Sequence, residues 1–368
     1  MTPSFGADLP ALAEISTPAL VIDQVALSGN IARMAETARR RGIALRPHAK
    51  THKSARIARC QLDQGATGLT VATIGEAEVF AGHGFTDLFI AYPVFATGAK
   101  AARLEDLARR VRLRVGVESG AGARALARAL RGTGTAAHAE VLIEIDSGQH
   151  RTGVPAAAAG ELAATCRSLG LDVAGVFTHG GHGYAPGSGA AAAADEDSAL
   201  HTAAQQLAAA GFDVREVSAG STPTVAFAGS HVTEERPGVY VFYDRQQLTL
   251  GSCQAGQVAV AVAATVVSTT VPGQAVIDAG SKALTSDSPS WITGHGSVPE
   301  LGGAVVVSLS EHHGLIDLGG APAPAVGTVV TVMPNHICTV ANLFDRYTLL
   351  RSGQLAGTWP VDARGHLS

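Results

Sequence analysis

Cysteine is scarce in this chain, and what there is does not pair. Cys60, Cys166, Cys253 and Cys338 are scattered through 368 residues without the spacing of a disulfide framework. No long hydrophobic run occurs either. The longest, Val258–Val267, is about half a membrane span, and its valine–alanine alternation predicts a β-strand with one face in a core. The opening MTPSFGADLPALAE lacks a basic stretch leading into an apolar one, so no secretory signal is expected. There is no basic block and the formal net charge is −4, which argues against a nucleic-acid partner. These absences leave a cytoplasmic enzyme with neither a membrane nor a nucleic acid as partner.

What is present is an ordinary globular composition, 46% hydrophobic and 16% charged. The length exceeds a typical single domain of roughly 100–200 residues. Residues 1–16 read as an irregular arm, Thr17–Asp23 as a strand and residues 24–41 as an amphipathic helix. Strand candidates then follow at Ile43–His48, Gly68–Ala72, Asp87–Ala91, Leu113–Val117, Glu140–Ile145, Gly175–His179, Val214–Ser218 and Gly238–Phe242. Segments of helical composition such as ARLEDLARR and GELAATCRSLG separate most of them. This alternation predicts an α/β fold, a (β/α)8 TIM-type barrel. A doubly wound open sheet is the competing architecture, but no GxGxxG follows an early strand. Beyond about residue 250, valine-rich strands alternate with Gly/Pro/Ser turns, so a mostly-β domain is expected at the C-terminus. The expected division is residues 1–23, 24–250 for the barrel and 251–368 for the β domain.

Barrel enzymes assemble their sites past the C-terminal ends of the strands. The charged stretch RPHAKTHKS brings Lys50 and His52 to one such end. Asp146, His150 and Arg151 follow another, as do His179, His182 and Tyr184. Gly220-Ser221-Thr222 and Gly238-Val239-Tyr240 occupy the last two, where barrels commonly bind phosphate. A lysine at one mouth position and a phosphate cradle at another suggest pyridoxal 5'-phosphate. Singly, each piece has a plain reading: a solvated lysine, a hydrogen-bonded structural histidine, a Gly-Ser-Thr-Pro turn. Their joint placement gives the functional reading its weight.

A second constellation lies downstream in Pro334-Asn335-His336-Ile337-Cys338. On an extended segment, residues two apart face the same way, and imidazole with thiolate suits zinc. The plain alternative is a buried cysteine beside an unrelated histidine. Ser310-Glu311-His312-His313-Gly314 supplies further candidate ligands or bases. The other three cysteines read as packing residues.

Taken together, RPHAKTHKS, IEIDSGQHRTGV, GVFTHGGHGY, SAGSTPT, RPGVYVFYD and PNHIC resemble, in order, the motifs of the fold-type III, alanine-racemase-like pyridoxal-phosphate enzymes. Within that group the chain is similar to the metal-dependent branch that contains D-serine dehydratases, D-threo-3-hydroxyaspartate dehydratase and D-threonine aldolases. The resemblance implies that Lys50 is the Schiff-base lysine and later the Cα base. It places His179 and Tyr184 by the cofactor ring. Arg151, Gly220, Ser221, Thr222, Gly238 and Tyr240 become cofactor-binding, and His336 and Cys338 become metal ligands, for Zn2+ or alternatively Mn2+ or Mg2+. It further implies a head-to-tail homodimer with the active site at the interface, and a first strand, TPALVID, that packs with the β domain.

Two outcomes divide that branch: loss of water from a 3-hydroxy-D-amino acid, or Cα–Cβ cleavage to glycine and an aldehyde. The His-x-Cys pair and AGSTPT resemble the dehydratases. Asn342-Leu343-Phe344-Asp345 and the WPVDARG tail resemble the aldolases, and His312 stands where an acidic residue is usual. The balance favours the dehydratase. A non-catalytic cofactor-binding protein is disfavoured by the β domain, and a racemase by the missing aromatic base.

Overall fold

A computed structural model describes residues 5, 10–131 and 139–368. The chain separates into two compact units. One comprises residues 35–50, 58–238 and 365–368, the other residues 1–34, 51–57 and 239–364.

After strand β1 (Ala19–Asp23) and helix α1 (Gln24–Arg41), eight strands build the first of these units. They are β2 (Ala44–Leu45), β3 (Leu69–Val71), β4 (Asp87–Pro93), β5 (Arg112–Val117), β6 (Ala139–Glu144), β7 (Asp172–Phe177), β8 (Glu216–Ala219) and β9 (Glu234–Glu235). All pair in parallel, in the order β2-β9-β8-β7-β6-β5-β4-β3. A parallel bridge between His48 and Thr70 joins the two ends of that order. Helices α2 (Ala55–Asp63), α3 (Ile74–Gly82), α4 (Ala99–Arg110), α5 (Gly120–Leu130), α6 (Ala159–Ser168) and α7 (Gly189–Ala209) alternate with the strands, giving the expected TIM-like α/β array. Their starts follow from capping: Thr73 accepts from Glu76 N at the head of α3, and Ser119 from Gly122 N at the head of α5, satisfying N–H groups that the helix itself cannot.

The eighth strand is not where the sequence pattern puts it. Gly238–Phe242 is largely a 3-10 turn, Val239–Val241, and the strand is the glutamate pair Glu234–Glu235. Two adjacent acidic residues look like surface, but here both are buried. Glu234 is compensated by Arg46 Nε at 2.6 Å, Arg114 at 3.4 Å and Ser218 Oγ at 2.7 Å, as burial of a carboxylate requires. Arg46 also meets Asp87 at 2.6 Å. Above this polar layer Phe89, Leu142, Ala174 and Phe177 pack as a cluster. Gly116 leaves room for it, since a Cβ there would stand 2.7 Å from the Phe177 ring.

The second unit is antiparallel except where β1 runs parallel to β16. Its strands are β10 (Val260–Ser268), β11 (Gln274–Ile277), β12 (Gly296–Val298), β13 (Ala304–Leu309), β14 (Gly314–Asp317), β15 (Val329–Pro334), β16 (Arg346–Arg351) and β17 (Gln354–Pro360). The order β11-β14-β13-β12-β15-β10-β1-β16-β17 folds back through a β10–β11 pairing, so six strands form a barrel-like ring that β1, β16 and β17 extend. Short helices α8 (Arg245–Thr249), α9 (Ser281–Leu284) and α10 (Ile337–Ala341) interrupt the strands. Of the arm expected at residues 1–16, residues 1–4 and 6–9 lie outside the described residues. Pro10–Glu14 forms a 3-10 turn. Among the described residues no helix is long and apolar enough to cross a membrane.

Candidate active site

In the parallel unit Lys50, Arg151, Tyr184 and Gly220 gather around His179, whereas Asp146 pairs with the exposed His150 at 2.7 Å and His182 with Asp195 at 3.1 Å. Lys50 follows β2 on a short 3-10 turn, Ala49–Thr51. His179 follows β7, and its ring lies 6.2 Å from that of Tyr184. Burial, reinforced by the charges of Lys50, Arg151 and Arg236, holds the imidazole pKa well below its ordinary value, while a hydrogen bond with the Gly220 backbone pulls weakly the other way. His179 is therefore neutral and anchored to the turn after β8.

That turn, Gly220-Ser221-Thr222, is buried. Ser221 N and Oγ are engaged by Thr224 Oγ1 at 3.0 and 3.1 Å. Thr222 Oγ1, although buried, has no hydrogen-bond partner among the described residues. An orphaned hydroxyl in a backbone-rich turn is an open donor for a phosphate oxygen, so the residues present fit pyridoxal phosphate. Gly238 lies after β9, and Tyr240, fully buried, sits on the Val239–Val241 turn of the other unit.

Three neighbours escape a reading by motif. Glu196 on α7, Glu235 on β9 and Arg236 are all buried. Burial and then the Glu196 charge push the Glu235 carboxyl up to about 8, against Arg236 and Arg41. Arg236 donates to Ser218 Oγ at 2.5 Å and to Thr178 O, with Phe89 and Phe177 rings 5.6 and 5.4 Å away. The available signals are Gly180 and Gly220, glycines whose Cβ positions these carboxylates occupy.

The other unit carries the His-x-Cys pair, though not on a strand. His336 is the N-cap of α10 and Cys338 is in its first turn, because the chain turns into a helix directly after β15. The two side chains still meet, in a hydrogen bond. Asp244, itself fully buried, holds His336 Nδ1 at 3.3 Å, accepts Ile337 N at 3.1 Å and caps α8 through Gln247 N. Burial opposes a charge on His336, yet Cys338 and Asp244 outweigh it and hold its pKa well above the ordinary value. Thr51 Oγ1 lies 3.2 Å from Cys338 Sγ. A carboxylate that orients the imidazole through Nδ1 leaves Nε2 and the thiolate for a metal, so the donor set fits zinc. Among the described residues no group of three or more His, Cys, Asp and Glu is placed to hold a metal ion. Glu311, His312 and His313 are exposed in the β13–β14 turn and do not join the pair.

Other residues of RPHAKTHKS are committed elsewhere. Arg46 belongs to the buried ion pairs of the parallel unit. The His52 ring accepts from Ser54 N at 3.1 Å and its carbonyl accepts from Tyr347 Oη at 2.6 Å. Lys53 Nζ reaches Ala363 O at 3.4 Å.

A TIM-like parallel array with a lysine and a buried Gly-Ser-Thr turn at its strand ends, together with an antiparallel barrel-like unit, defines an alanine-racemase-like protein. The chain belongs to the alanine racemase N-terminal domain family of fold-type III pyridoxal-phosphate enzymes, with residues 22–246 matching "Alanine racemase, N-terminal domain" and residues 259–350 matching "Putative serine dehydratase domain". It is 38% identical to D-threo-3-hydroxyaspartate dehydratase of Delftia sp. (strain HT23), over 95% of this chain and 97% of that one. It is 32% identical to D-threonine aldolase of Arthrobacter sp., over 96% and 94%. The solved Delftia dehydratase, and its cysteine-to-alanine variant in a metal-free form, each superimpose with a TM-score of 0.87 at 36% identity, over 95% of this chain and 98% of theirs.

Proposed function

We propose that this chain is a pyridoxal-phosphate- and zinc-dependent lyase that removes water from a small 3-hydroxy-D-amino acid, giving a 2-oxo acid and ammonia. The imidazole–thiolate pair His336/Cys338, backed by Asp244, carries the choice of elimination, because a thiolate favours Zn2+ over harder ions. The 38% identity to a 3-hydroxyaspartate dehydratase supports the same reading.

Bound pyridoxal phosphate supplies an electron sink for charge developing at the substrate Cα. Lys50 Nζ would hold the cofactor and, once released, would serve as the general base for the Cα proton. His179, kept neutral by its surroundings, would present an uncharged imidazole beside Tyr184 as a second catalytic group by the cofactor ring. The Thr222 hydroxyl would meet a phosphate oxygen on a turn that Gly220 and Ser221 shape, their own N–H groups being given to Glu196 and Thr224. Gly238 and Tyr240 would add to the phosphate site, and Arg151 would add cationic charge. His336 and Cys338 would be the residues to hold a zinc ion, which would supply Lewis acidity at the substrate's β-hydroxyl. We read the parallel sheet as a closed (β/α)8 barrel within residues 24–250, and residues 251–368 with the first strand as the metal-bearing domain. The assembly is taken as a head-to-tail homodimer.

Retro-aldol cleavage is the second reading, favoured by the 32% identity to a D-threonine aldolase. Product analysis separates them: 2-oxo acid and ammonia are expected from D-serine or 3-hydroxy-D-aspartate. Glycine and acetaldehyde from D-threonine, with no ammonia from either hydroxy acid, would replace elimination by cleavage.

A further inference from the structure

Glu196 sits on helix α7, far in sequence from every strand end, yet it is only 2% exposed. Its Oε1 accepts two backbone N–H groups, from Gly180 at 2.7 Å and from Gly220 at 3.1 Å. Thr224 adds a side-chain hydrogen bond to the same carboxylate. Gly180 directly follows His179, and Gly220 begins the phosphate turn and hydrogen-bonds the His179 ring through its backbone. One carboxylate oxygen therefore fastens the segment that carries the histidine to the turn that the histidine leans on. Gly180 is required for this approach, since a Cβ there would stand 2.7 Å from Glu196 Cδ; Gly220 instead makes room for Glu235, whose Oε2 would lie 1.6 Å from a Cβ at that position.

Resting on the cofactor reading above, we propose that Glu196 is a positioning residue that clamps His179 and the Gly220–Thr222 turn into one preorganised unit for the cofactor. Glu235, buried against the same turn, leaves these N–H groups to Glu196. Arg236, Arg41, Glu196 and Glu234 are the charged groups that act on it, and burial with the Glu196 charge places its pKa at about 8. At neutral pH Glu235 thus holds the proton of the pair. Burial raises the Glu196 pKa overall, while the three hydrogen bonds and Arg236 pull it the other way. A site held by such supporting contacts loses precision when one is withdrawn.

Two variants test the clamp from opposite sides. Glu196→Asp keeps the charge and withdraws the acceptor by one methylene. Gly180→Ala, at φ −75° and ψ 60°, keeps a backbone accessible to alanine and drives a methyl into the carboxylate. Each is expected to weaken pyridoxal phosphate binding to the apoprotein by about tenfold in an absorbance titration. Each should also diminish the circular dichroism of the bound cofactor and shift the 15N resonances of the His179 ring. Glu196→Gln keeps an acceptor oxygen and should stay within about threefold of the parent. Folded Asp and Ala variants with parental affinity and unmoved His179 resonances would overturn the proposal. If the parent protein itself takes up no pyridoxal phosphate, the cofactor reading falls, and the His179 resonances of the apoproteins alone decide on the clamp.

Discussion

Thr222 carries the cofactor reading on one atom. A buried hydroxyl without a partner costs about 1–3 kcal/mol, and Thr222 Oγ1 is in that position, so something outside the protein is expected to meet it. Thr222→Val is nearly isosteric and removes the orphan. The apoprotein should therefore be as stable as the parent or more so, by up to about 1 kcal/mol, while pyridoxal phosphate affinity falls about tenfold. Opposite signs in thermal melts of the apoprotein and in cofactor titrations are the signature. A loss of both would mean that the hydroxyl serves the fold instead. At this scale the sequence was legible where chemistry is local: Lys50, His179 and the Gly-Ser-Thr turn are recognisable by residue type and by position after a strand. Glu196, Glu235 and Asp244 were not, because a carboxylate on a helix or beside a turn gives no sign in its own neighbourhood that it will be buried. The two backbone partners of Glu196 lie 16 and 24 residues away, and the His336 partner of Asp244 lies 92 away.

Among the elements, β9 is the one that pattern reading misplaces, and charge is the reason. Alternation of apolar residues finds strands whose faces meet a hydrophobic core. Glu234–Glu235 instead faces a polar interior of arginines, and the apolar Gly238–Phe242 nearby looked more like a strand than the strand itself. The same burial gives β9 a pH dependence. Glu235 titrates near 8 in the folded protein, against about 4.5 ordinarily, so between those values the native state holds a proton that the unfolded chain has released. Stability then falls as pH rises from about 4.5 to 8, by up to a few kcal/mol. Glu235→Gln removes the titration. Relative to the parent it should gain stability on going from pH 5 to pH 8, read as the difference in denaturant midpoints at the two values. A gap between the two proteins that does not change with pH would show that Glu235 is ionised throughout.

For the whole molecule, the residues proposed for the two chemistries divide between the units, with Tyr240 as the exception, since it is offered to the phosphate from the antiparallel one. Lys50, His179 and the Gly220–Thr222 turn belong to the parallel unit, and His336, Cys338 and Asp244 to the antiparallel one. Removing one function should therefore spare the other. Cys338→Ala, or a chelator on the parent protein, is expected to abolish ammonia release from a 3-hydroxy-D-amino acid, by about 100-fold or more. The visible absorption of bound pyridoxal phosphate and its dissociation constant should stay at parental values. Lys50→Ala should do the reverse, losing the cofactor band while zinc bound per chain, read by atomic absorption, stays unchanged. Asp244→Asn separates holding from orienting: it keeps an oxygen near His336 Nδ1 but removes the charge, so zinc affinity should fall about 10–100-fold with the cofactor band intact. Zinc lost together with cofactor in all three variants would mean that the two sites stand or fall as one.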